Sequence, residues 1–419
     1  MAITPKRRYG SENGSRYTLC VLCTTLFVCP AVSAVEIAAG DWKFTANGNV
    51  NVYYIGSQCE EETQPAITGG LACRGSAGED QTSSISNGLL PAALAIGAST
   101  TQKGFDLDVI FGFYPGISTN DGSANLQQGA TLLNTALGSA SVDIRQVFMT
   151  FGNDNMGKFL LGRNIGLFGA DAILNDMTLP GVGAGNGNYA TPANTSLGSI
   201  GLGYIYTDWL AQIDYTTPDF AGFKATIGIF DPIEPIGQVL PPGTPPPPES
   251  APGIHGKLAY TNGPIYASAS VISQKHNGAT DATDFDSFGF DIGGKITFGS
   301  LEALAWYYQG EGLGTTALFL FGATAAGNER DSDGFLAQVT YKFGDLKVGI
   351  NYGESSLDLA PGEPVSNLVE TNSKYTAGAY YSLTKNLTLI AEFTQTKAEA
   401  HNGTENESSN FNIGAYLSY

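Results

Sequence analysis

After residue 34 the sequence holds no apolar run near the roughly 18 residues that a membrane-crossing helix needs. Any passage through a membrane therefore has to be made by strands closed into a barrel. Basic residues are also scarce, with 20 Lys and Arg against 39 Asp and Glu in 419 residues. A net charge of −19 excludes the counterion-displacing surface that nucleic acid requires. Histidine is rarer still, at 3 residues, and neither His255, His276 nor His401 stands at a spacing that builds a Ser/His/Asp triad. No G-x-S-x-G is present either, so neither an enzyme nor a cofactor is expected. Of the 5 cysteines, Cys20, Cys23 and Cys29 fall in the first 34 residues, leaving Cys59 and Cys73. With no Cys or His cluster beside them, a metal site is the weaker reading and one loop-closing disulfide the stronger.

Those first residues have their own layout. A basic start (Lys6, Arg7, Arg8, Arg16) precedes the apolar run LCVLCTTLFV and then AVSA, with Val32 and Ala34 at the −3 and −1 positions of a cleavage site. This predicts a secretory signal peptide over 1–34 and a mature chain of 35–419, more acidic still once those basic residues leave.

The mature chain is organised by alternation. In DWKFTANGNVNVYYIG (41–56), Trp42, Phe44, Ala46, Val50, Val52 and Tyr54 share one face, and Lys43, Thr45, Asn47, Asn49 and Asn51 the other. A period of two is a β-strand with one greasy and one wet face. Sixteen such stretches follow one another, at about 41–57, 84–101, 105–116, 141–152, 157–168, 204–217, 221–230, 254–262, 264–275, 285–298, 301–312, 334–343, 345–357, 373–384, 387–399 and 410–419. Tight connections such as TTQKG, NDNMG, TNGP, FGS and FGD alternate with long polar or glycine-rich ones. The proline-rich 231–253 is one of the long connections, since the hairpin rhythm continues on both sides of it.

Segregated loop lengths predict an all-β, transmembrane antiparallel up-and-down β-barrel of 16 strands, with short periplasmic turns and long outer loops. Charge divides the same way. Lys103, Lys158, Lys224, Lys342, Lys347 and Lys385 lie in or near short turns, whereas Glu60, Asp281, Asp284, Glu329, Asp331, Glu363, Glu370, Glu405 and other acids lie in long connections. Aromatics toward strand ends (Trp42, Phe44, Tyr53, Tyr54, Trp306, Tyr307, Tyr308, Tyr380, Tyr381) predict interfacial belts. Greasy side chains then face lipid, polar ones face water inside, and a ring this wide leaves an aqueous channel.

The longest connection, about 169–203, carries the most specific pattern. LLGRN (160–164), DAILNDM (171–177) and the Pro-Gly tip LPGVGAG (179–185) resemble the general bacterial porins, trimeric sixteen-stranded diffusion channels of Gram-negative outer membranes. The terminal aromatic of FNIGAYLSY (411–419) and the loop rhythm extend that resemblance over the mature chain. In the family, the third long loop folds into the barrel and its acids face basic residues on the wall. The resemblance puts Arg163 on the wall and Asp171 and Asp176 in the loop helix; strand parity adds Arg145 and Lys43 to the pore constriction, subject to any β-bulge. Two other readings stand beside these: Arg163 as a brace, and Asp171 as a helix N-cap. The tip reads PGVGAG where the family often has acids, which weakens the expected transverse field.

A passive channel for small hydrophilic solutes follows, homotrimeric, bedded in lipid and lipopolysaccharide, with a mild cation preference from the acidic balance. A substrate-preferring barrel would want a basic ladder or an aromatic slide, which the 16 Lys and Arg after residue 34 and the few tyrosines Tyr114, Tyr204 and Tyr206 do not supply. An adhesin or receptor barrel with no open pore is the reading from another class.

Overall fold

The computed structural model describes residues 35–60, 67–73, 80–117, 142–185, 195–235 and 248–419. The expected signal peptide lies outside them, as do Glu61, Glu62, Glu79 and the middle of the proline-rich connection. The strands are β1 (Val35–Ala39), β2 (Trp42–Cys59), β3 (Gln81–Ser86), β4 (Ala93–Gln102), β5 (Phe105–Pro115), β6 (Val142–Asn153), β7 (Gly157–Ile165), β8 (Trp209–Thr216), β9 (Phe223–Phe230) and β10 (Gly253–Asn262). The rest are β11 (Ile265–His276), β12 (Phe285–Phe298), β13 (Leu301–Glu311), β14 (Asp331–Phe343), β15 (Leu346–Leu357), β16 (Val369–Ser382), β17 (Leu387–Ala400) and β18 (Glu405–Ser418). Among the described residues, a short α-helix, α1 (Ala170–Asn175), lies between β7 and β8.

Every pairing among these strands is antiparallel, between sequence neighbours except for β2 with β4, and the last strand returns to pair with β2 from Ser418↔Asn49 to Ser408↔Cys59. Eighteen segments occupy sixteen places in this closed ring. β1 pairs with the start of β2 (Val35↔Ala46 to Ala39↔Trp42) and so prolongs the line of β18. β3 and β4 both pair with β2, at Tyr53–Gln58 and Lys43–Asn49 respectively, and share one place.

That break departs from the continuous strand expected over 84–101. Side chains of two asparagines replace the ladder there: Asn51 donates to Leu90 O and accepts from Gly88 N, while Asn87 donates to Asn51 O. Residues 87–92 are thereby turned inward. Short connections follow turn chemistry. Between β4 and β5, Lys103 and Gly104 both take positive φ (52° and 82°), the two-residue hairpin geometry that matches strand twist.

The faces fall as the alternation requires. Phe44, Val50, Val52 and Tyr54 of β2 are exposed on the outside, whereas Asn49 and Asn51 are buried within. Phe411, Ile413, Leu417 and Tyr419 likewise point outward at the C-terminus. The aromatic pairs divide. Phe44, Tyr54, Tyr307 and Tyr381 are exposed, but Tyr53, Trp306, Tyr308 and Tyr380 are buried inside the ring. Period two forces neighbours to opposite faces, and the inner members pack on chain that enters the lumen.

Candidate pore constriction

The segment 166–208, between β7 and β8, supplies most of that chain. Gly169, at φ 75°, precedes α1 and redirects the backbone; its N–H donates to Asp291 Oδ2 on β12 at 2.6 Å. α1 stops after one and a half turns because the Asp176 carboxylate accepts from both Thr178 N (2.9 Å) and Thr178 Oγ1 (2.8 Å), a side-chain turn that competes with the helix. The chain then runs along the inner wall. Gln338 of β14 accepts from Met177 N and donates to Asn175 O. Asn410 and Asn412 of β18 donate to Gly183 O at 3.0 and 3.1 Å, and Tyr53 of β2 donates to Pro180 O.

Glu392 on β17 holds the tip. Its Oε2 accepts from Val182 N and Gly183 N, both at 2.8 Å, and its Oε1 from Tyr380 OH at 2.7 Å. The carboxylate at the tip is therefore on the wall, and the loop PGVGAG offers backbone donors to it. Small tip residues suit that role, since bare N–H groups can approach an anion closely.

Other inward chain meets this segment. Leu89 N and Leu90 N donate to Gly181 O and Leu179 O. Leu71 N donates to Asn372 Oδ1 on β16. Between β13 and β14, Thr316 O accepts from Tyr206 N, and Phe319 is wholly buried with Phe168 and Ile205. Leu71, Ile173, Ile200, Leu202, Trp306 and Leu336 belong to one apolar cluster inside the ring. Each such large side chain contributes about 1.5–3 kcal/mol through burial. These inward segments are packed together as a unit, and whatever passes the barrel has to run beside them.

The expected site residues divide by place. Asp171 is the second residue of α1, with Gly169 as N-cap; its carboxylate takes Ser268 Oγ at 2.7 Å and Lys257 Nζ at 3.3 Å. Asp176 also accepts from Tyr204 OH at 2.9 Å and Asn351 Nδ2 at 3.3 Å. Both acids point into the lumen's packing and act as anchors. Arg145 lies inside, on β6, beside the Tyr114–Trp209 cluster against which Leu174 of α1 packs. A bulge opposite Gly112/Phe113 makes it the extra residue of β6, so it and Gln146 both turn inward. Its guanidinium pairs with Asp143 at 2.7 Å and lies 5.2 Å from the Tyr114 ring and 5.9 Å from that of Trp209.

Two expectations need correction. Arg163 is paired across the sheet with Val147 and Ala211, and all three are exposed on the outer face. Its inward neighbour is Asn164, which accepts from Gln146 Nε2 at 2.9 Å. Lys43 shares the inward parity of Asn49 but is half-exposed near the start of β2 and bonded to Glu36 of β1 at 2.6 Å, with no contact to α1 among its ion pairs. Glu392, Lys257 and Asp291 had not been singled out. The signal available was a charged side chain on the inward parity of a strand.

At the outer end Cys59 and Cys73 are joined, Cα atoms 5.0 Å apart. Between the outer connections, Arg330 forms a two-point pair with Glu363, at 2.5 and 2.8 Å. That bonding holds the Glu363 carboxyl below its ordinary value.

Comparison with known proteins gives a consistent answer. No curated protein sequence matches. Among solved structures, the outer-membrane channel DcaP of Acinetobacter baumannii is similar with a TM-score of 0.67 at 14% identity, covering 91% of this chain and 99% of that one. OmpT of Vibrio cholerae gives 0.54 at 14%, covering 92% and 100%. OmpF of Salmonella typhi, in a complex with daunomycin, gives 0.56 at 13%, again 92% and 100%. At such identities the likeness is one of fold. The profile of the Gram-negative porin family, however, matches residues 22–401. A match over that much of the sequence decides membership: the chain belongs to the Gram-negative porins, as a multi-pass β-barrel of the outer membrane.

Proposed function

We propose that the barrel is a passive diffusion channel for small hydrophilic solutes and ions, working as a homotrimer without a cofactor. The observation that carries this reading is the closed ring with polar side chains inward, Asn49, Asn51, Gln338, Asn351 and Asn412 among them, narrowed by one long connection. Fixed charge and width then decide what passes. Outer acids such as Asp281, Asp284, Glu329, Asp331 and Glu370 gather cations at the outer mouth, a mild effect because salt screens exposed charge within about 8–10 Å. The same acids suit divalent cations that bridge to lipopolysaccharide phosphates. A trimer agrees with the OmpT structure of Vibrio cholerae described as a trimer form, a likeness of fold.

The apolar packing of Leu71, Ile200, Trp306 and Leu336 inside the lumen favours a second reading, a receptor or adhesin barrel with no open pore. Planar-bilayer recording separates the two. A channel gives ohmic current steps, in threes for a trimer; a protein that inserts without steps refutes the proposal and leaves the second reading.

A further inference from the structure

The periplasmic rim of the lumen holds two like charges with no ion-pair partner among the described residues, Glu302, Glu392 and Asp176 attracting Lys347 only from beyond ion-pair distance. Lys342 is the second-last residue of β14 and Lys347 the second of β15, and the register sets them directly opposite each other. Both have inward parity. Lys342 alternates with buried Leu336, Gln338 and Thr340, while Phe335, Val339 and Tyr341 point to lipid. Lys347 shares the parity of buried Asn351, and its neighbour in alternation, Ile350, is 64% exposed on the outside. Like charges placed directly across a ladder destabilise it.

Elsewhere on the inner wall Lys43 pairs with Glu36, Lys158 with Asp108, Lys257 with Asp171 and Lys295 with Glu302, while the buried Lys374 donates to the Thr376 hydroxyl. Among the described residues neither Lys342 nor Lys347 forms an ion pair. Asp345, in the turn that joins them, uses its backbone carbonyl to accept from Ser382 N. The Tyr380 ring holds the Lys347 ammonium at 4.7 Å, fixing it on the wall. Lys295, three residues from the end of β12, adds a third ammonium nearby, offset by Glu302.

We propose that Lys342 and Lys347, supported by Lys295, form an anion-binding site at the periplasmic mouth, taking small oxyanions of the carboxylate or phosphate class. Two ammonium donors a strand apart match two oxygens of one such group. The site rests on the reading of the barrel as an open channel. It opposes the acids of the outer connections, so the pore carries a cation-collecting outer end and an anion-collecting inner end.

The test is ion selectivity in planar bilayers, with K342Q/K347Q and K342R/K347R compared with the unaltered protein in a potassium chloride gradient. Inorganic phosphate is then added to either side in turn. Removing two charges about 5 Å from a transiting anion lowers its occupancy roughly tenfold in water-like dielectric. The glutamine variant is therefore expected to shift the reversal potential toward cations and to lose a partial block by phosphate applied from the periplasmic side. The arginine variant is expected to keep both. Current steps with a reversal potential and phosphate response unchanged in K342Q/K347Q overturn the site and leave the channel standing. A protein without steps overturns the channel reading and the site with it.

Discussion

Replacing Glu392 by alanine tests how the long connection is held. The side chain is 1% exposed and accepts Val182 N and Gly183 N at 2.8 Å each. Hydrogen bonds to a charged acceptor contribute about 1.5–3 kcal/mol apiece, so the two together set an upper range of about 3–6 kcal/mol. Other contacts stay: Leu89 N to Gly181 O, and Asn410 and Asn412 to Gly183 O. Allowing for relaxation around them, about 2–4 kcal/mol of docking free energy is lost, which is roughly 30-fold to 1000-fold in the opening equilibrium. Hydrogen exchange of the peptide containing Val182 and Gly183, followed by mass spectrometry in detergent, reads that equilibrium directly. Exchange is expected to accelerate by that factor while β12–β16 stay protected. Channel current is expected to become noisier in the same variant. An unchanged rate at Val182 and Gly183 refutes the claim that the wall carboxylate holds the tip.

Two further outcomes follow from the outer end. Opening the Cys59–Cys73 loop by C59S/C73S is expected to cost about 3 kcal/mol, as for a closed loop of roughly 15 residues; an unchanged guanidinium midpoint would contradict this. The Glu363 carboxyl is held low by Arg330, so its contribution is complete above the unfolded value of about 4.3 and is lost as pH falls through the lower folded value. Protease resistance of residues 358–368 is therefore expected to fall in acid in the unaltered protein. In E363Q resistance is expected to be lower at neutral pH and flat through that window; parallel acid profiles for both would refute the assignment.

The ring was legible because its punctuation is chemical. Turns such as Lys103–Gly104 mark strand ends, and parity separated Val50 and Val52 from Asn49 and Asn51. The break at residues 87–92 was not legible, since it depends on asparagine side chains reaching across to β2. Arg163 is instructive. Phe159, Leu161 and Arg163 share one parity in KFLLGRN, so the alternation pointed outward while the motif pointed in. Physical periodicity outranked family pattern there. Tyr53 and Tyr54 stand next to each other, and no local signal says which one meets lipid. Glu392 was visible as an inward charge, but its partners lie about 210 residues away in the chain. Asp171 and Asp176 lie in the segment between β7 and β8, and their work as tethers depends on Ser268, Lys257, Tyr204 and Asn351, which only folding assembles.

The arrangement by which β1 prolongs β18 along one side of β2 has a consequence for assembly. The first and last described strands dock on the same side of β2, and the two strands at the β2–β18 seam are far apart in sequence. Until the final zip, β2 and β18 each expose a raw edge of unpaired amides and carbonyls, an open template for pairing with any other unfinished copy. That seam is an exposed edge for as long as it is unpaired, and the alternating tail FNIGAYLSY of β18 is the piece that covers it.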